Sequence, residues 1–189
     1  MPKHNIILIS GKQGSGKTTL AKNLEQKLID KFIPTYRTRF AKVLYLMHDA
    51  IRDIGRKYGI NFPEKNGPLL QYLGTDMVRT NYGADSWVNC VKNEISDFLF
   101  PYVIIIDDCR FLNEMVAFDA EGHDVLKVRL EANKESRKER TNAWRDNDSH
   151  PSEIGLDDYD GFDLVLHTDL LEKNQTLDEV FKYICWDIT

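Results

Sequence analysis

Glycine, lysine and threonine stand near the start of the chain at a spacing suited to holding phosphate groups. The pattern G-x-x-x-x-G-K-[ST] is filled by Gly11, Gly16, Lys17 and Thr18. Glycines let a phosphate chain approach backbone N–H groups closely, Lys17 reaches the outer phosphates, and the Thr18 hydroxyl ligates Mg²⁺. The pattern predicts a nucleotide-binding loop whose ligand contacts come from Gly11, Gly14, Ser15, Gly16, Lys17, Thr18 and Thr19.

A second set of ionisable residues follows a strongly apolar segment in the middle of the chain. Asp107 and Asp108 end the predicted strand at 102–106, and Arg110 comes two residues later. A carboxylate at the tip of a strand beside the loop is what nucleotide-bound Mg²⁺ requires. Two adjacent acids point to opposite faces of a strand, so at most one faces the loop directly. We expect Asp108 to serve the metal, although the choice between the two acids stays open.

A charged helix is predicted at 133–145, with many basic residues and few apolar ones. Such a run is usually a solvated helix face. Here Arg137 and Arg140 are three residues apart and share a face. Phosphoryl transfer needs cations over the migrating group, and a mobile flap can bring them while excluding water. We therefore expect a lid at about 133–158 that carries these two arginines.

Trp87 and Arg79 are candidates for contact with a second ligand. Trp87 starts a predicted helix next to Asp85. Packing in the core and stacking against a base are alternatives that the sequence leaves open. Arg79, eight residues earlier, is a candidate clamp for a monophosphate.

Predicted strands and helices alternate along the chain. The strands lie at 6–9, 35–40, 102–106, 125–130 and 162–166. The helices lie at 20–29, 41–58, 69–81, 84–100, 112–120, 133–145 and 176–184. Because two of the strands are apolar throughout, the pattern predicts a parallel sheet covered on both faces. Ligands in such α/β folds bind at the carboxyl ends of the strands, where the glycine-rich loop and Asp108 both fall.

Length, charge and composition limit the classes of protein to which this chain can belong. A length of 189 residues suggests a single domain, 1–189, with a substantial core. The formal charge of −5 disfavours non-specific binding to polynucleotides. Three scattered cysteines and the lack of a recognisable signal peptide predict reduced thiols in a cytoplasm. The apolar runs are too short to suggest a membrane span.

Three longer segments resemble the deoxynucleoside monophosphate kinases encoded by tailed bacteriophages. They are Leu73-Gly74-Thr75-Asp76…Arg79…Gly83-Ala84-Asp85-Ser86-Trp87-Val88, Asp108-Cys109-Arg110-Phe111…Asn113-Glu114 and Asp148-Ser149-His150-Pro151-Ser152-Glu153. With the loop at 11–19, the resemblance spans nearly the whole chain. It implies an α/β P-loop NTPase fold with a parallel five-stranded sheet flanked by helices, a lid, and a monophosphate-binding region at about 36–90. It also implies transfer of the γ-phosphoryl group of ATP, with Mg²⁺, to a deoxynucleoside 5′-monophosphate for DNA precursor synthesis.

The resemblance assigns roles to individual residues. It implies catalytic roles for Lys17, Arg110, Arg137 and Arg140. It implies acceptor contacts for Thr75, Arg79, Trp87, Asp108, Arg110, Asn113, Glu114 and Arg145. Metal ligation falls to Thr18 and Asp108. The implied partner is a small deoxynucleotide rather than a polynucleotide or a membrane, the implied location is a host cytoplasm, and a homodimer is left open.

Three alternatives remain at this point. The tail Glu153-Ile154-Gly155-Leu156-Asp157…Phe162-Asp163 also resembles animal phosphomevalonate kinase, whose acceptor is an isoprenoid phosphate. Asn133-Lys134-Glu135-Ser136 follows a predicted strand where the guanine-reading N-K-x-D of a GTP-binding switch protein would lie, but its fourth residue is Ser. An ATP-dependent motor subunit is the third, and the lack of a long insertion disfavours it.

Overall fold

The chain divides into two compact units in a computed structural model. One unit combines residues 1–38 with residues 98–189, and the other comprises residues 39–97. The structure describes residues 2–141, 144, 146 and 148–184. The first unit contains the β-sheet, and the second is built from helices.

Five parallel strands form the sheet of the first unit. They are β1 (Asn5–Gly11), β2 (Thr35–Thr38), β3 (Val103–Cys109), β4 (Asp124–Glu131) and β5 (Leu164–His167). Their order across the sheet is β2-β3-β1-β4-β5, so the strand that leads into the glycine-rich loop is central. The predicted fold, a five-stranded parallel sheet flanked by helices, is confirmed.

The helices, numbered in chain order, include one π-helical segment. They are α1 (Lys17–Ile29), α2 (Lys42–Lys57), α3 (Gly67–Gln71), the π-helix (Tyr72–Arg79), α4 (Thr80–Tyr82), α5 (Ser86–Ser96), α6 (Leu112–Met115), α7 (Lys134–Glu139), α8 (Pro151–Ile154) and α9 (Lys173–Tyr183). Among the described residues, every helix is too short or too polar to cross a membrane.

The hydrophobic core explains why β1 contains four consecutive apolar residues, 6–9. Ile7 and Ile9 belong to a buried cluster that includes Leu24 and Leu28 of α1 and Val180 of α9. Side chains alternate along a strand, so Ile6 and Leu8 point to the opposite face of the sheet, and both are also fully buried there. Burial on both faces is the pattern of a central parallel strand.

A bulge interrupts the pairing of β1 with β3 beside the loop. Leu8 pairs with Ile106 and Ser10 pairs with Cys109, so Asp107 and Asp108 together stand opposite the single residue between Leu8 and Ser10. An extra residue of this kind bends the strand and redirects the side chains that follow. The bulge therefore decides which of the two acids turns towards the loop.

Several predicted helices differ in the structure. The helix predicted at 133–145 ends at Glu139, so its predicted length was wrong, and Arg137 within it is buried. The helix predicted at 69–81 is a succession of α- and π-helical turns. The last helix starts at Lys173, three residues early, because Glu172 and Gln175 cap it reciprocally.

We predict that Leu24→Ala lowers the free energy of unfolding by about 3 kcal/mol, because a fully buried leucine leaves a cavity in the core. Leu99→Ala is the matched control, since Leu99 is 83% exposed. Its loss should stay within about 0.5 kcal/mol. Urea unfolding of both variants measures the difference, and equal losses would contradict the position of the core.

Candidate functional site

The glycine-rich loop between β1 and α1 depends on residues without a side chain. Gly11, Gly14 and Gly16 have φ angles of 142°, 78° and 99°, which L-residues with a Cβ rarely adopt. A Cβ on Gly11 would collide with the carbonyl oxygen of Leu130, and one on Gly14 would lie 2.5 Å from the carbonyl oxygen of Arg137. The loop therefore lies directly against the end of β4 and against the middle of α7.

Lys17, the first residue of α1, turns its side chain back onto this loop. Its Nζ donates to the carbonyl oxygens of Gly11 and of Lys12, the latter at 2.9 Å. Burial, together with the positive charge of Arg110, lowers the pKa of Lys17 to about 7. The negative charges of Glu153 and Asp107 oppose this shift, but they do not outweigh it. The side chain is thus a buried amine in a cationic environment, which is favourable for binding an anion.

The start of α1 has the donors that phosphate groups require. Gly16 caps the helix without a side-chain hydrogen bond, so the first backbone N–H groups and the helix dipole are directed at a potential ligand. Ser15 Oγ is buried and has no hydrogen-bond partner among the described residues. Thr18 and Thr19 are exposed in the first turn. These residues fit the phosphates of a nucleotide.

Of the two acids that end β3, Asp107 is the one directed at the loop. Its side chain is fully buried, lies 4.0 Å from Arg37 and acts electrostatically on Lys17. Asp108 is partly exposed, and its charge helps to raise the pKa of the neighbouring Cys109, after burial and the charge of Glu114. The geometry favours Asp107 over Asp108 for the predicted metal role.

The donor set suits a hard cation that is also bound by phosphate. Within the described part of the chain, His, Cys, Asp and Glu form no group of three that could hold a metal. Mg²⁺ is usually bound by one or two protein oxygens, with substrate phosphates and water completing its octahedron. The Thr18 hydroxyl and the Asp107 carboxylate fit that requirement.

Arg110 lies close enough to Lys17 for its charge to affect the lysine pKa. Its Nη1 donates to the carbonyl oxygen of Ser152 at 3.0 Å and to the carboxylate of Glu153. Its backbone N–H donates to Glu114 Oε2 at 2.8 Å. Glu114 is buried, and its carboxylate holds this turn of main chain. The carboxylate oxygen that makes these bonds is directed into the protein, which argues for a positioning role rather than the acceptor contact expected from the sequence.

Arg137 is a buried residue that is already paired. It donates both Nη groups to the carboxylate of Asp148, at 3.0 and 2.8 Å, and Nη1 also donates to the carbonyl oxygen of Gln13 at 3.2 Å. The hydrogen bond from Arg137 lowers the pKa of Asp148, so the pair is fully charged at neutral pH. Arg137 is therefore bound to the loop through its side chain, and its main chain lies close against Gly14.

Arg140 is directed to a different place. Its Nη1 and Nη2 donate to the hydroxyl and carbonyl oxygens of Thr168, at 2.9 and 2.8 Å, just beyond β5. The hydroxyl of Thr168 donates in turn to the carbonyl oxygen of Ser15 at 3.0 Å. The two arginines expected to act together thus have separate partners. Arg145, the third expected lid cation, lies outside the described residues.

A cavity of about 540 Å³ opens beside the loop at the ends of β4 and β5. Its basic lining residues are Lys12, Arg129 and Arg137, and its acidic ones include Asp157. Asp157 accepts from Arg129 Nη2 at 2.6 Å and forms an ion pair with Lys12 at 2.8 Å. Burial raises the pKa of Asp157, but the hydrogen bonds from Lys12 and Arg129 hold it below its usual range. The volume is that of a typical small-ligand pocket.

The acceptor residues expected within 39–97 occupy the helical unit. Thr75 and Arg79 lie in the π-helix, where Thr75 is exposed and Arg79 Nη1 donates to the carbonyl oxygen of Ala84 at 3.2 Å. Trp87 is 4% exposed, and its Nε1 donates to the carbonyl oxygen of Gly74 at 3.1 Å. This environment favours the packing alternative for Trp87 over base stacking. Asn113 lies in α6 of the first unit and is partly buried.

Three carboxylates of this site were not predicted from the sequence. Asp148, Glu153 and Asp157 come from one ten-residue segment, and each binds a cation or an amide of the loop region. The available signal was the position of this acidic segment directly after the basic one. A cluster of buried cations requires carboxylates nearby.

Sheet order and loop geometry together define an α/β fold of the P-loop class. A family model described as AAA domain matches residues 7–158, and the chain belongs to this family. Among the curated proteins, none matches the chain.

Two solved structures share the fold over nearly their full lengths. The Mycobacterium tuberculosis APS kinase CysC in complex with AMPPNP and APS is 19% identical with a TM-score of 0.57, covering 97% of this chain and 99% of that chain. Shikimate kinase from Aquifex aeolicus vf5 is 14% identical with a TM-score of 0.50, covering 95% of each chain. Similarity at these identities establishes the fold.

We predict that Gly14→Ala destabilises the protein more than Gly122→Ala does. The two φ angles are 78° and 74°, so both variants bear a similar backbone strain of about 1–2 kcal/mol. A Cβ on Gly14 also meets the main chain of Arg137, whereas one on Gly122 meets nothing within 4 Å. The additional loss for Gly14→Ala should be about 1–3 kcal/mol by urea unfolding. Equal losses would show that α7 does not lie against the loop.

Proposed function

We propose that this protein is an ATP-dependent kinase that phosphorylates a deoxynucleoside 5′-monophosphate to the diphosphate. The observation that carries the proposal is the glycine-rich loop between β1 and α1, with the buried amine of Lys17 turned back onto it and the charge of Arg110 within electrostatic range. The nearby carboxylates of Glu153 and Asp107 offset the repulsion between these two cations only in part, and a ligand of high negative charge would offset the rest. The phosphates of a donor nucleotide supply that charge.

The donor binds through the loop. Backbone N–H groups at the start of α1, Ser15 Oγ and Lys17 Nζ surround its β- and γ-phosphates. Thr18 and Asp107 are the residues that would hold Mg²⁺, which would neutralise charge on the phosphate oxygens. The APS kinase with the same fold was solved with AMPPNP, which supports an adenine nucleotide as the donor.

The transfer step needs position and charge rather than a protein base. A phosphate monoester is already an anionic nucleophile, so no proton must be removed before it attacks the γ-phosphorus. The bond from the γ-phosphorus to the bridging oxygen breaks, and ADP leaves with the electron pair. Lys17 and Arg110 neutralise the charge that spreads over the migrating group.

The identity of the acceptor rests on the resemblance of 73–88 and 108–114 to bacteriophage deoxynucleoside monophosphate kinases. Thr75 and Arg79 remain the predicted acceptor contacts of the helical unit, whereas the buried Trp87 is assigned to packing. Such an enzyme would work on soluble deoxynucleotides in the cytoplasm of the host.

A panel of acceptors tests the proposal. ATP·Mg²⁺ is incubated with each deoxynucleoside monophosphate, each ribonucleoside monophosphate and phosphomevalonate, and the products are separated by chromatography. We expect a deoxynucleoside diphosphate, and Lys17→Ala should lower kcat by at least about 100-fold with an unchanged melting temperature. Product from phosphomevalonate alone, or nucleotide hydrolysis without any acceptor, would overturn the assignment.

The lowered pKa of Lys17 gives a second prediction. With a pKa of about 7, most free protein carries a neutral Lys17 at pH 8, and bound phosphate raises the pKa by stabilising the charged form. ATP binding should therefore take up about 0.9 proton at pH 8 and much less at pH 6, and affinity should fall as pH rises above 7.

Calorimetry in buffers of different ionisation enthalpy measures this uptake. Lys17→Arg is the control, because a guanidinium stays charged throughout the range and should abolish the uptake. Equal proton uptake by this variant and the wild type would assign the proton to another group.

A further inference from the structure

We infer that Glu153 is a positioning residue that braces Arg110 against the phosphate loop, an inference that rests on the proposed kinase function. Glu153 is 5% exposed. One carboxylate oxygen accepts from Arg110 Nη1, and the other accepts from the backbone N–H of Gln13 at 2.7 Å. A single side chain thus joins the loop that holds the donor to the cation that neutralises the transferred group.

Burial makes this contact different from a surface ion pair. An exposed pair of this kind contributes little, because water screens both charges. A carboxylate removed from water must be compensated by hydrogen bonds and opposite charge, and Glu153 has both. Its negative charge also offsets part of the repulsion between Lys17 and Arg110.

Helix α8 holds the carboxylate in place. The imidazole of His150 accepts from the backbone N–H of Ser152 at 3.2 Å, and Pro151 begins the helix. A Cβ on Gly155 would lie 2.7 Å from the carbonyl oxygen of Arg110, so α8 packs directly on the Arg110 backbone. Glu153 and Arg110 therefore lie in segments that pack directly against each other.

Within the part of the chain that the structure describes, the brace engages the guanidinium through Nη1. Nη1 uses its two hydrogens on Ser152 and Glu153. Nε and Nη2 carry three further N–H donors, which suit the oxygens of a phosphoryl group. Because a displacement of about 1 Å can cost on the order of 100-fold in rate, the position of this group matters for turnover.

Glu153→Gln is the test variant. A glutamine has nearly the same size, but its single carbonyl oxygen can accept from Gln13 or from Arg110 and not favourably from both. We expect kcat to fall on the order of 100-fold while KM for ATP changes less than about threefold. Glu153→Asp, which keeps both acceptor oxygens on a shorter stem, should recover part of the loss. Asp158→Asn is the matched control, because it removes an exposed carboxylate five residues away and should retain wild-type kcat.

A double-mutant cycle separates positioning from a general structural effect. If Glu153 acts through Arg110, Glu153→Gln should have almost no additional effect on kcat in an Arg110→Ala background. Melting temperatures of all variants are measured alongside. Additive losses, or a kcat for Glu153→Gln within threefold of wild type, would overturn the inference. A rise in kcat with tighter ATP binding would also overturn it, since it would make Glu153 a competitor of phosphate.

A measurement without substrate keeps this inference distinct from the proposed function. In the free protein, hydrogen exchange of the Gln13 amide should be at least about tenfold faster in Glu153→Ala, which removes both acceptor oxygens, than in Asp158→Asn. Equal exchange rates would refute the brace. If the wild-type protein transfers phosphate to no acceptor, the kinase proposal fails, and the exchange rates still decide whether Glu153 holds the loop.

Discussion

The burial of positive charge beside the glycine-rich loop is the constraint on which the site depends. Lys17 loses its hydration and lies within electrostatic range of Arg110, so its pKa falls to about 7. Such a cluster is tolerated only where carboxylates and backbone carbonyls surround it. The segment 148–157 supplies those carboxylates, and this explains why a polar stretch with little regular structure is packed against the loop. The packing of this segment and the burial of the cations therefore depend on each other.

The second requirement of the site is that the main chain of the loop lies close to neighbouring main chain, and glycine makes this possible. The loop lies so close to β4 and α7 that side chains at Gly11 and Gly14 would strike carbonyl oxygens. The parallel sheet makes this approach possible, because it brings the ends of β1 and β4 to one edge. The same closeness buries Arg137, which a helical periodicity alone would place in solvent.

The sequence predicts those features of the structure that depend on residues close together in the chain. Buried runs give the central strands, and the spacing from Gly11 to Thr18 gives the loop, since both signals lie within a few neighbouring residues. It does not predict partners that are distant in the chain. Asp148, Glu153 and Thr168 determine where Arg137, Arg110 and Arg140 point, and no spacing rule connects them. The burial of Trp87 was not predicted either, because its indole bonds to Gly74, thirteen residues away, and the motif around Trp87 does not specify that contact.

The bulge in β3 has a consequence for sequence length at this position. Two residues, Asp107 and Asp108, stand where a regular ladder has one. Deleting either would restore even pairing with β1 and leave Cys109 opposite Ser10, but the strand would lose the bend that precedes Arg110. In this chain a gap of one residue at the bulge therefore changes the direction in which the backbone leaves the sheet, which a substitution of either acid does not.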